Sequence, residues 1–167
     1  MLTNELQKAI DEYIRLKYKP QEENSTEYCF VKNLLKGADG EKEIEPLSLK
    51  KLMDEVGQSF HEMLFEKIDK SGLTDVDIYK KANIDRKLFS KIRSNPAYHP
   101  RKQTVLALAI ALELNIDDAI ALLASAEYAF SPSNKGDLIV KYLIEHGVYD
   151  IITINFALSE YNQNLLE

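Results

Sequence analysis

Cysteine pairs, long apolar runs and glycine-rich loops are all missing from this sequence of 167 residues. A single cysteine, Cys29, cannot close an internal disulfide. No segment approaches the roughly 20 consecutive apolar residues of a membrane span, so no membrane is expected as a partner. The opening Met-Leu-Thr-Asn-Glu-Leu has neither the charged nor the apolar region of a signal peptide, which points to the cytoplasm. There is no phosphate-cradling loop, no Cys or His pair at zinc spacing and no nucleophile elbow. The isolated reactive residues do not repair this. Cys29, beside Tyr28 and Phe30, reads as a small core residue, and His61 and His146 fall in helices without partners. His99 has no His, Cys or carboxylate nearby at ligand spacing, and reads as a surface histidine. Glu62 and Glu66 share a helix face but have no companion that would raise a pKa, as a general acid requires. Asp39-Gly40 is a loop, because no further carboxylates follow at calcium-loop spacing. The sequence therefore implies no enzyme, no cofactor, no metal site and no small-molecule substrate.

What is present is a helical pattern in a chain of ordinary globular composition, 45% hydrophobic and 29% charged. The expected fold class is all-α. Leu2, Leu6, Ala9, Ile10, Tyr13 and Ile14 recur at helical spacing over residues 2–18, until Pro20 and a polar run break the pattern. Apolar residues keep a helical period from 47 to 70, as one long helix or two meeting near Gly57, and Ser71-Gly72 supplies an exit with a left-handed glycine. Thr74 caps a short helix that Asn83 ends, because Asn tolerates positive φ, and Asp85 caps the next. Residues 101–114 are apolar nearly all round, which marks a helix buried at the centre of a core. Asn115, Asn134 and Asp150 cap three further helices, and Gly147 stops the second of these.

Charge is unevenly spread. The formal net charge is -6, yet residues 78–102 hold eight basic side chains against Asp85 alone. Local potential, more than the total, steers a polyanion. Lysines on a solvated helix face would give the same count with no function attached.

Residues 72–94, a capped helix, a tight turn at Asn83 and a second helix with Leu88, Phe89 and Ile92 inside, resemble the helix-turn-helix of the phage-repressor-like (lambda repressor and Cro, or XRE) family. The resemblance runs over about residues 59–126, with Ile78, Ile84 and Ile92 at the family's core positions. It implies a five-helix repressor-like bundle, here with an N-terminal helical arm and a C-terminal two-helix extension, in a bacterial or phage-like setting. The implied division is 1–46 for the arm and linker, 47–130 for the bundle, and 131–167 for the extension packed on it. Three positions depart from the family pattern. Tyr79 replaces a small residue and can splay the two helices, Asn83 replaces the turn glycine, and Asp75 puts a carboxylate where the family approaches a phosphate.

The function the resemblance implies is a DNA-binding regulator of the repressor type. Arg86, Lys87, Ser90 and Lys91 would face the major groove, and Lys80, Lys81, Arg93, Arg101 and Lys102 would hold phosphates. Tyr98 would stack on a base or donate to a phosphate, unless its ring simply packs over its loop. The acidic remainder and Asp75 support an alternative, a non-enzymatic protein-interaction module, adaptor or antitoxin-like, that uses the fold without DNA. A homodimer is open in either case, with the arm or the extension supplying its surface.

Overall fold

Each of the five helix starts marked in the sequence by a capping side chain is closed by that side chain in the computed structural model, which describes residues 3–20 and 57–166. Among the described residues there are eight helices and no strand: α1 (Asn4–Lys17), α2 (Phe60–Ser71), α3 (Asp75–Lys81), α4 (Arg86–Ser94), α5 (Lys102–Ala111), α6 (Ile116–Ser125), α7 (Lys135–Glu145) and α8 (Ile151–Glu160). The readings for residues 21–56, among them the surroundings of Cys29, the turn at 37–40 and the first half of the 47–70 period, lie outside the described residues.

Local chemistry sets the boundaries. Ser59 and Glu62 form a reciprocal capping box at the start of α2, as Thr74 and Asp77 do at the start of α3, so that free backbone N–H groups at both termini are satisfied. Gly72 leaves α2 with φ 69°. Asn83 leaves α3 with φ 54°, while its N–H and that of Ile84 donate back to the carbonyls of Lys80 and Tyr79. This paired closure satisfies the last carbonyls of the helix, and it carries the chain straight into Ile84, whose side chain is buried. Asp85 then accepts from Lys87 N at 2.7 Å and starts α4.

The centre of the core is α5. Every residue from Thr104 to Leu112 is buried, which is the consequence of a helix with no polar face. It packs against α3, α6 and α8, while α6 also touches α2 and α7. The elements outside the five central helices are anchored to the same body, since α8 packs on α5 and α7, and α1 packs on α7. Met1–Lys19 and Gln58–Glu167 make one compact unit. Ile10 of α1 is wholly buried, and two tyrosines fasten the helix: Tyr13 Oη donates to Glu145 (3.1 Å) and Tyr161 Oη to Asp11 (2.6 Å). Among the described residues, no helix is long and apolar enough to cross a membrane.

Candidate nucleic-acid interface

The α3–α4 pair buries Ile78, Phe89 and Ile92, leaves Val76 exposed and turns its cations outward. Phe89 and Ile92 of α4 are buried, and Phe89 meets the rings of Phe65 (centroids 6.4 Å apart) and Tyr79 (6.1 Å). Tyr79, half-buried, thus packs between the two helices and onto α4. With one face of α4 fixed this way, Arg86, Lys87, Ser90 and Lys91 are left exposed. Lys80 on α3 and Arg101, the N-cap residue before α5, are exposed as well. Among the described residues Lys80, Arg86, Lys87, Lys91 and Arg101 form no ion pair.

Three other cations of the basic window are paired with carboxylates of the same chain, two of them at the surface. Arg93 donates to Asp75 (2.5 Å), and its guanidinium lies 4.4 Å from the centre of the Phe65 ring. Asp75 therefore faces a neighbouring positive charge instead of standing alone toward solvent. Lys81 pairs with Glu113 at 3.0 Å, both side chains being exposed. Lys102 departs most from the sequence expectation. Its ammonium donates to Asp137 and to the carbonyl of Ala129 (2.6 Å), and Asp137 is buried and also accepts from Ser131 N at 2.7 Å. A carboxylate taken out of water needs a counter-charge, so Lys102 is held inward and leaves the set of residues that can meet a phosphate.

Tyr98 is half-buried against the core with the Lys91 ammonium 4.3 Å from its ring centre, so packing over the loop is the arrangement found. That contact holds Lys91 by attraction between cation and ring. The histidines also have partners, distant in sequence for His61 and His99 and one turn away for His146. His61 Nε2 lies 3.0 Å from the carbonyl of Arg93, and His146 Nδ1 lies 2.8 Å from that of Tyr142. His99 Nε2 lies 3.9 Å from a Glu127 carboxylate oxygen, and Tyr128 Oη is 3.4 Å from its Nδ1.

Glu62 and Glu66, a turn apart on α2, each accept hydrogen bonds. Hydrogen bonds from Ser59 hold the Glu62 pKa down, and hydrogen bonds from Lys70 and then Gln58 do the same for Glu66. Both shifts run opposite to what a proton donor at neutral pH needs. Among the described residues, no group of three or more His, Cys, Asp or Glu side chains is placed to hold a metal ion. What the site offers is a short helix with a cationic and hydrogen-bonding outer face, flanked by further cations. No protein-family model matches the chain, and neither does any curated protein or solved structure.

Proposed function

We propose that the chain is a DNA-binding regulator of the repressor type, with α3 and α4 as a helix-turn-helix and α4 as the element that enters the major groove. The observation that carries this reading is the outer face of α4, where Arg86, Lys87, Ser90 and Lys91 are exposed and the three cations form no ion pair among the described residues. Arg86, Lys87 and Ser90 meet base edges; Lys80, Lys91 and Arg101 meet phosphates. The contact of Arg93 with Asp75 supports the reading too, because it offsets the carboxylate that stands where the resembled family approaches a phosphate. The chemistry is binding, without catalysis and without a cofactor.

A titration against mixed-sequence duplex at two salt concentrations tests it. With about three to four phosphates neutralised, log K falls linearly with log salt at a slope near -3. Absence of binding to any duplex at about 50 mM salt, from folded protein, removes the proposal. The non-enzymatic interaction module then becomes the reading to pursue, favoured by a formal net charge of -6 for the chain as a whole.

A further inference from the structure

We infer that the groove between α1 and α7 is a docking site for an acidic peptide segment of a partner protein, seated by an apolar anchor. The groove is open to solvent and offers about 780 Å³, a volume that takes several side chains. Helix α1 turns Ile10 fully inward and packs Tyr13 and Ile14 against the core, but Leu16, on the same groove wall, is 69% exposed. Phe130 and Leu138 continue the apolar surface on the other side. One leucine on a surface carries no message; one that extends an apolar groove offers an anchor position.

The rim of this groove is basic, in a chain whose formal net charge is -6. Lys17, Lys19 and Lys141 line it. A lysine in the last turn of α1 is accounted for by the helix dipole, which explains Lys17. It does not explain Lys19, which lies beyond the helix, or Lys141, which comes from α7. Glu145 is the one carboxylate in the lining, and its charge is met within the groove by the Tyr13 hydroxyl (3.1 Å) and the Lys141 ammonium (3.8 Å). The two walls are tied at the end where the chain leaves α1, since Lys19 N donates to the Pro132 carbonyl at 2.9 Å. An apolar floor beside two exposed lysines at the end of α1, with Lys141 of α7 already balanced by Glu145, complements carboxylates spread along one chain around a large apolar residue. This surface uses none of the residues assigned to duplex binding and stands without that assignment.

The test is selection of a random library of about twelve-residue peptides displayed against the full chain, then affinity measurement of a labelled selected peptide. The selected sequences should combine Asp or Glu with one or two large apolar residues. Leu16→Asp should weaken the peptide at least about ten-fold, and Lys17→Glu with Lys19→Glu should do so independently and reduce the salt dependence. All three side chains are exposed, so both variants should melt within a few degrees of the parent. Three outcomes overturn the inference: no enriched peptide, enriched peptides without acidic residues, or binding that both variants retain. Binding of anionic vesicles with no peptide selected overturns it as well, and assigns the groove to a membrane surface.

Discussion

The outer face of α4 and the first turn of α5 carry the same kind of side chain and use it in opposite ways. On α4, Arg86 and Lys87 extend into solvent from a helix whose other side is fixed by Phe89 and Ile92. On α5, Lys102 turns inward and neutralises the buried Asp137, while its neighbour Arg101 is exposed. A tally of positive charge treats these residues alike. The structure separates charges that hold the molecule together from charges that can meet another molecule, and only the second kind bears on partners.

The comparison rests on α5 being the core of the unit, and the largest expected effect tests that premise. Leu108 is wholly buried. Leu108→Asp places an unpaired carboxylate at the centre, at a cost of several kcal/mol against a total stability of roughly 5 to 15 kcal/mol, so the variant should not fold. Circular dichroism melting checks it, and a variant that melts within a few degrees of the parent would take α5 out of the core.

Next in size is Lys102→Ala. Removing the partner of a buried carboxylate costs about 3 to 5 kcal/mol in a fully buried pair, and about 2 to 4 kcal/mol is expected here because Lys102 retains some exposure. Chemical denaturation should show this loss, while the duplex salt slope of the folded fraction stays unchanged. Arg101→Ala should do the reverse, keeping the melt and lowering the slope by about one. If the two variants behave alike, the distinction between inward and outward cations fails.

How much of this the sequence discloses depends on how far apart the interacting residues lie. The caps at Thr74, Asp85, Asn115, Asn134 and Asp150 are readable because the donor sits two or three residues from the acceptor. Asn83 is readable for the same local reason, and α5 through its lack of a polar face. Glu113 and Glu127 also take left-handed φ values, 51° and 61°, yet nothing in a glutamate signals it; their helices close with paired hydrogen bonds that offset the strain. The cation pairs are unreadable because they join distant residues, Lys102 to Asp137, Lys81 to Glu113 and Arg93 to Asp75. Five of the eight basic residues remain candidates outside any ion pair among the described residues, but composition alone could not have said which five. The groove between α1 and α7 was hidden too, because neither helix alone shows that Leu16 and Lys141 share a wall.

A smaller effect belongs to Lys87. Lys87→Ala should cut binding to the preferred duplex site by roughly 1 to 3 kcal/mol and leave random duplex nearly unaltered. Competition titrations against the two duplexes separate these. Equal losses on both would move Lys87 from base edges to the phosphate backbone.

The tyrosine clasps give a contrast of another kind, between donors that must stay neutral and cations that must stay charged. Burial and the neighbouring Glu145 raise the Tyr13 pKa from 10.0 to about 12, and burial with Asp11 raises that of Tyr161. A raised pKa means the folded state holds the proton more tightly than the unfolded chain. The stabilisation is therefore complete below pH 10 and lost as pH climbs through about 12. Ultraviolet titration of tyrosinate should show two late-titrating groups, one removed by Tyr13→Phe and the other by Tyr161→Phe. Normal titration of both would mean that α1 is not clasped to α7 and α8 in solution.

The smallest effect converts an engaged cation into a free one. Arg93 and Asp75 are both partly solvent-exposed, so their pair adds no more than about 1 kcal/mol to stability. Asp75→Ala should leave the melt almost unmoved while it removes a negative charge and releases a guanidinium next to the outer face of α4. Duplex affinity should then rise a few-fold at low salt, and the salt slope should steepen by up to about one as Arg93 gains a phosphate. The cation contact with Phe65, 4.4 Å from ring centre to guanidinium, keeps Arg93 near its present position when its carboxylate partner is gone. Unchanged affinity with an unchanged melt would mean that Arg93 lies outside the reach of the duplex backbone, and would confine the interface to α4, Lys80 and Arg101.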